Sequence, residues 1–428
     1  MSSYTPHFPQ LMRTKVELPA SKSLSNRAML LHALGGSQAD MKHVATCDDT
    51  FVMWRALHDR PETVDIMAAG TAMRFLTAYL ALCPGETHVV TGTERMRQRP
   101  VAVLVDALRQ LGADIDYTDA EGFPPLRIRG RELDGGELEL PADVSSQYVS
   151  ALLMAAPRMK QGLTLHLRGC VMSRPYIDMT LAMMRKAGAT VQWTDPQTLR
   201  AEPGGYGADR VFEVESDWSA ASYWYEMVAL AEATHARVEL TRLQHHSMQG
   251  DSAVRELFVP LGVVTTFDEA HDSVVLTRQE LPARMLAERY EADMSNVPDL
   301  AQTLAVTCAM LRRPFRLTGL QTLRIKETDR LEALRNELSK LGIAALIEGD
   351  EALSVESYPD RCPAWNGVPI ATYHDHRMAM AFAPAALRVP GLTIADPEVV
   401  SKSYPAFWRD LEALGEDNED DLLVEEAP

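Results

Sequence analysis

Leu334-Arg335-Asn336-Glu337-Leu338-Ser339-Lys340-Leu341-Gly342, running into Ile343-Ala344-Ala345-Leu346-Ile347, is the stretch on which the fold turns. Apolar residues at 334, 338 and 341 mark one face of a helix. Gly342 stands where a helix ends in a left-handed cap, and the short apolar run after it predicts a strand. The same sentence recurs along the chain. Val103–Gly112 runs into Ala113–Tyr117, Leu181–Gly188 into Ala189–Trp193, and Val254–Gly262 into Val263–Phe267. Phe407–Gly415 runs into an acidic tail. The five glycines stand 73 to 80 residues apart. Chance alone rarely spaces helix–glycine–strand units so evenly, although ordinary αβ units with similar loops are the rival reading. A sixth copy is expected over Asp48–Leu57, where the glycine is missing.

The helix starts carry charge. Basic residues precede proline in Arg99-Pro100 and Arg174-Pro175, and Lys402 precedes Pro405. The fourth helix opens on Lys326-Glu327-Thr328-Asp329-Arg330. Proline suits a first helical turn, and Thr or Asp caps one. The free N–H groups and dipole of a helix N-terminus already favour anions, and added Lys and Arg strengthen that preference.

These cations sit in an acidic protein. The 428 residues carry a formal net charge of −18, which argues against a general nucleic-acid or anionic-membrane surface. The basic clusters therefore point to a small anionic ligand. Part of the acidity lies in Glu416–Asp421, read as a solvated, disordered tail over 416–428. The length predicts two domains or more. Five cysteines without a CxxC pair fit a reducing compartment, and no metal-ligand spacing appears. No signal peptide or membrane span is evident, so a cytoplasmic protein is expected.

Several short strings are candidate anion sites. Ser21-Lys22-Ser23-Leu24-Ser25-Asn26-Arg27 places two cations and several hydroxyls in one helical start. Ala68-Ala69-Gly70-Thr71-Ala72-Met73-Arg74 is a small-residue loop entering an apolar helix, where Gly70 permits close approach. Arg95-Met96-Arg97-Gln98-Arg99 adds three arginines. Ser145-Ser146-Gln147 and Ser173-Arg174-Pro175-Tyr176 offer hydroxyls and an amide. Pro298-Asp299, the Lys326–Arg330 string, His374-Asp375-His376-Arg377 and Lys402 follow. Singly, each reads equally as a capped or salt-bridged surface turn.

Together and in this order, over residues 19 to 405, the strings resemble the 5-enolpyruvylshikimate-3-phosphate synthases, enolpyruvyl transferases of the shikimate pathway. The resemblance implies an α/β (α+β) fold: a two-domain inside-out α/β barrel, each domain built from three βαβαββ repeats. The domains would be 21–215 and 1–20 plus 216–428, facing across a cleft that substrates close. The first would serve mainly shikimate 3-phosphate and the second mainly phosphoenolpyruvate.

Residue roles follow from the same resemblance. Lys22, Ser23, Arg27, Ser145, Ser146, Gln147, Ser173, Tyr176, Asp299 and Lys326 would bind shikimate 3-phosphate. Lys22, Gly70, Arg99, Gln147, Arg330, Arg377 and Lys402 would bind phosphoenolpyruvate. Lys22, Asp299 and Glu327 would be catalytic. The implied protein is a cytoplasmic monomer and glyphosate target with no metal or cofactor. It departs from the family pattern at Ala20, Phe75, Thr322 and His374, and in a short 59–66 segment that has lost a hairpin. Lys22-Ser23 distinguishes it from the related transferases acting on a UDP-amino sugar, which carry Asn after the lysine. A non-catalytic anion-binding module on the same fold is the rival from another class.

Overall fold

A computed structural model describes residues 2–37, 41–142, 145–207, 211–232, 236–359 and 365–415. The acidic tail expected to be disordered, and Cys362, lie outside the described residues. The chain divides into two compact units, Ala20–Val214 and Met1–Pro19 with Glu215–Pro428.

One pattern builds four sheets, two in each unit. In the Ala20–Val214 unit, strand Thr63–Asp65 pairs in parallel with Thr87–Thr91, and helix Gly70–Ala81 joins them. Helix Ala102–Gln110 then leads into the antiparallel hairpin Asp114–Tyr117 and Leu126–Arg129, and the second hairpin strand joins Thr87–Thr91. The result is βαβαββ with the fourth strand inside the sheet. Strands Gly136–Pro141, Leu163–Arg168, Val191–Asp195 and Thr198–Ala201 repeat it around helices Ser146–Ala155 and Arg174–Lys186. In the other unit, Tyr290–Asp293, Phe315–Thr318, Leu346–Glu348 and Ala352–Val355 repeat it around helices Ala301–Met310 and Arg330–Lys340.

The fourth sheet shows where the chain crosses over. Strand Met12–Val16 pairs in parallel with Ala236–Thr241, and helix Trp218–Leu230 completes the βαβ connection. Residues 20–214 are thus inserted between the first strand of this repeat and its first helix. The two remaining repeats are abbreviated. One keeps helices His376–Phe382 and Phe407–Glu412, with strand Ile394–Ala395 bridged to Ile370 and paired antiparallel to Ser3–Tyr4. The other keeps helices Lys22–Gly35 and Asp48–Asp59 and a parallel bridge from Lys42 to Glu213. Its second helix passes through Arg60–Glu62 straight into strand Thr63–Asp65, which accounts for the short 59–66 segment.

Four of the five repeat glycines take the left-handed cap expected of them, while Gly415 ends the short turn Ala413–Gly415. Gly112, Gly188, Gly262 and Gly342 all have positive φ, from 74° to 102°. Arg60 takes this left-handed place in the sixth copy, at φ 47°. It is held there by Glu86 at 2.8 Å and lies over the Tyr79 ring. The prolines differ from expectation. Pro175 lies in a first helical turn, whereas Pro100 and Pro405 precede their helices. A residue before proline avoids the helical region, so a proline can set the approach to a helix as well as its first turn.

Within each unit the helices form the core and the sheets lie outside. Helix Trp218–Leu230 is buried on nearly every side, as are Gly70–Ala81 and Ala301–Met310. A helix apolar all round belongs in an interior. The strands alternate instead: Gly136–Pro141 buries Leu138 and Leu140 and exposes the residues between, the pattern of a sheet with one wet face. Among the described residues no helix is long and apolar enough to cross a membrane. Cys47, Cys83, Cys170 and Cys308 are free thiols.

Candidate active site

In the Ala20–Val214 unit, helix starts bring polar groups together. Ser21 caps helix Lys22–Gly35 by accepting the Leu24 N–H. Lys22 Nζ lies 3.0 Å from Asp49 Oδ2, in the first turn of helix Asp48–Asp59. One turn on from Lys22, the buried Arg27 donates Nε to Thr180 Oγ1 (2.7 Å), Nη1 to the Ser23 carbonyl (3.0 Å), and Nη2 to Ser150 Oγ and the Tyr176 carbonyl. Its guanidinium sits over Phe75, 5.3 Å from the ring centroid. Burial lowers its pKa to about 10, still far enough above neutrality to keep it a cation.

Gly70 opens helix Gly70–Ala81 because a side chain there would strike Arg99. A Cβ would lie 2.7 Å from Arg99 Nη1. Gln147 Nε2 donates to Thr71 Oγ1 at 3.1 Å, tying two helix starts together. Ser145 caps helix Ser146–Ala155 by accepting the Gln147 N–H. Arg74 turns away from this group, donating to the Gly70 and Pro100 carbonyls. Ser173 precedes helix Arg174–Lys186 in a left-handed conformation, φ 53°, and its hydroxyl makes no capping bond. Such strain in a non-glycine residue marks a place held by its surroundings, often for a ligand.

The other unit holds the denser constellation. Asp299 lies in the turn Pro298–Leu300 that leads into helix Ala301–Met310. Its Oδ1 lies 3.0 Å from Arg330 Nη1 and 3.6 Å from Lys326 Nζ, and its Oδ2 lies 3.0 Å from Arg377 Nη2. Glu327 bridges Arg330 and Lys402, each at 2.9 Å. Asp375 accepts Arg330 Nε at 2.7 Å and caps helix His376–Phe382 through the Arg377 N–H. Four cations thus face three carboxylates. Burial opposes ionisation of Asp299, but Arg377, Lys326 and Arg330 outweigh it and hold its carboxyl well below the usual carboxylate range. Arg330 is almost fully enclosed; burial disfavours its charge, and Asp375, Glu327 and Asp299 more than restore it. Arg377, Lys326 and Arg330 keep Asp299 ionised but make it a weak base, and the excess positive charge suits the cluster to hold an anion.

Several side chains that no anion-site string contains meet these cations: Asp49, Ser150, Thr180 and Ser219 each touch one of them. Ser219 also donates to Asp251. Two adjacent acids, Asp48-Asp49, opening a helix were the available signal for the first. Thr322 lies in the turn Gln321–Ile325, its hydroxyl buried without a hydrogen bond among the described residues. Among the described residues, no group of three or more His, Cys, Asp or Glu could hold a metal.

Residues 58–411 match the family model of EPSP synthase (3-phosphoshikimate 1-carboxyvinyltransferase). A 3-phosphoshikimate 1-carboxyvinyltransferase of Bacteroides fragilis is 51% identical over 410 residues, covering 95% of this chain and 96% of that one. The Yersinia pseudotuberculosis protein of that name is 36% identical, covering 95% and 97%. Among solved structures, EPSP synthase from Acinetobacter baumannii superposes with a TM-score of 0.74 at 23% identity, covering 96% and 97%. The enolpyruvyl transferase NikO of Streptomyces tendae gives 0.68 at 16%, covering 96% of each. The fold is that of the enolpyruvyl transferases, a two-domain inside-out α/β architecture. Within that class, the chain belongs to the EPSP synthase family.

Proposed function

We infer that the chain transfers the enolpyruvyl group of phosphoenolpyruvate to the 5-hydroxyl of shikimate 3-phosphate, releasing phosphate, in the aromatic amino acid branch that leads to chorismate. The observation that carries this reading, given the family, is the gathering of Lys326, Arg330, Arg377 and Lys402 around Asp299 and Glu327.

The chemistry demands such a cluster. The acceptor hydroxyl adds to C2 of phosphoenolpyruvate and gives up its proton while C3 gains one. The tetrahedral intermediate then expels phosphate, and the new methyl returns a proton. Ionised Asp299, with Lys326 beside it, is the acceptor for the hydroxyl proton once the bound substrate anions offset the cations that depress its basicity. Glu327 and Lys22 serve the proton moves at C3 and at the leaving phosphate. Fixed Lys and Arg groups offset the repulsion of two phosphates and a carboxylate without a metal or cofactor.

The same reading assigns residues 21–215 mainly to shikimate 3-phosphate, through Lys22, Ser23, Arg27, Ser145, Ser146, Gln147, Ser173 and Tyr176. It assigns 1–20 with 216–428 mainly to phosphoenolpyruvate, through Arg330, Arg377 and Lys402, while Gly70, Arg99 and Gln147 contribute from the first. A reduced-cysteine, strongly acidic chain supports action in the cytoplasm, and we take it to act as a monomer. The test is phosphate release with both substrates supplied. Turnover with shikimate 3-phosphate and none with a UDP-amino sugar supports the assignment. Binding of shikimate 3-phosphate without phosphate release would leave a non-catalytic binding module.

A further inference from the structure

Tyr373 and His374 are consecutive non-glycine residues in the left-handed region, at φ 54° and 57°. Non-glycine residues rarely adopt that conformation, and then as single residues, so a pair in succession requires an outside hold. They lie immediately before Asp375, whose carboxylate caps helix His376–Phe382 and pairs with Arg330. The direction of the helix start, and so of Arg377, depends on this turn.

The hold comes from Glu337, which is fully buried. Its Oε1 accepts the Tyr373 hydroxyl at 2.7 Å, and its Oε2 accepts the Ala371 N–H at 2.9 Å. Lys340 Nζ lies 2.6 Å from the same Oε2 and also donates to the Pro369 carbonyl. One carboxylate thus gathers the chain on the near side of the turn at two points, and Lys340 adds a third. Burial, together with the bond to Glu337, pushes the Tyr373 phenol up to about 12, so it remains a donor at any working pH.

Glu337 and Arg330 stand seven residues apart on helix Arg330–Lys340. That spacing puts both on one face, about two turns apart. Arg330 binds Asp375 after the turn, and Glu337 binds Tyr373 and Ala371 within and before it. A single rigid helix therefore grips the strained segment on both sides. We propose that Glu337 is a positioning residue for the transfer reaction: it holds the left-handed Tyr373–His374 turn against the Arg330 helix and so aims Arg377 at the anionic substrate.

The proposal rests on the reading of Arg377 as a phosphoenolpyruvate ligand, and the experiment separates the two. Tyr373→Phe deletes one hydrogen bond with little change of shape. The expected result is a rise of about fivefold in KM for phosphoenolpyruvate, with KM for shikimate 3-phosphate changed less than twofold and Tm nearly unchanged. Glu337→Ala should show the same selectivity more strongly, and Glu337→Gln, which keeps an acceptor for Tyr373, should recover part of the loss. Arg377→Lys is the control. If it raises KM for phosphoenolpyruvate while Tyr373→Phe leaves every constant within twofold, the clamp is overturned and the ligand reading stands. If Arg377→Lys also leaves KM unchanged, the ligand reading itself fails. Equal rises in both KM values accompanied by a fall in Tm would mean a merely structural role and would overturn the proposal.

Discussion

Lys22 Nζ lies 3.0 Å from Asp49 Oδ2, each side chain in the first turn of its own helix. The carboxylate is well placed there, because a helix N-terminus favours negative charge. The ammonium is badly placed there, and the pairing offsets that cost. Lys22 is thus held at a helix start by a neighbour rather than by the core.

Replacing Lys22 should accordingly harm chemistry far more than stability. Lys22→Met is expected to lower kcat by about 10³ or more, the scale of a lost acid–base group. Unfolding free energy should drop by about 2–3 kcal/mol, the cost of leaving the buried Asp49 without its cation, less what its helix N-terminus offsets. Steady-state kinetics beside urea unfolding checks both halves, and near-normal turnover would remove Lys22 from the mechanism.

Asp299 gives a prediction with a definite sign. Its folded pKa lies well below the unfolded value, since Arg377, Lys326 and Arg330 overcome the effect of burial. Its stabilising contribution is therefore fully present above the unfolded pKa of about 4, and is lost as pH falls through the folded value. Asp299→Asn should lower unfolding free energy by a constant amount from about pH 5 to 8, with the difference shrinking in stronger acid. The same variant should lose about 10²–10⁴ in kcat. A stability difference that grows as pH falls below 4 would contradict the assignment.

Gly70 is governed by space rather than by backbone freedom. Its φ is not positive, and a Cβ would sit 2.7 Å from Arg99 Nη1 and 3.0 Å from Nη2. Gly70→Ala should leave stability nearly unchanged, because alanine suits a helix. The Arg99 guanidinium must move, so KM for phosphoenolpyruvate should rise by about tenfold. An unaltered KM would show that Arg99 does not meet that substrate.

Glu226 sits in the interior of helix Trp218–Leu230, fully buried, and its oxygens have no hydrogen bond among the described residues. Burial raises its pKa well above the ordinary range, and the nearby Thr307 hydroxyl offsets this only in part. Here the sign reverses. The stability it contributes is complete below the unfolded pKa of about 4.3 and is lost as pH rises through the folded value. Glu226→Gln removes that loss, so the variant should unfold at higher urea than the parent at pH 8, with the gap closing toward pH 4. A gap independent of pH would mean that Glu226 does not change protonation on unfolding.

Much of this molecule was legible in local pattern. The periodicity of Leu334–Leu341 and the glycine after it describe a helix, its end and the strand beyond, because helix phase and a left-handed cap act over about ten residues. The same logic located the repeats at 112, 188 and 262. It missed the sixth only in its cap, where Arg60 adopts a conformation expected of glycine and is steadied by Glu86 and Tyr79. Local pattern could not show the permuted strands, because Met12–Val16 and Ala236–Thr241 pair across more than two hundred residues of intervening chain; only the resemblance joined residues 1–20 to 216–428.

The sequence by itself determined that cations and small residues open the helices of an acidic, repeated α/β chain, and its ordered motifs named the family. Which carboxylate meets which cation was a tertiary matter. Arg377 reaches Asp299 across 78 residues, and Arg330 reaches Asp375 across 45. Phe75, an oddity in its motif, becomes the surface beneath Arg27, and His374, another, proves to be half of a strained turn that Glu337 holds through Tyr373. Propensity and capping are properties of neighbours in the chain. Charge pairing and strain depend on what the fold brings within about 4 Å, and only the packed structure decides that.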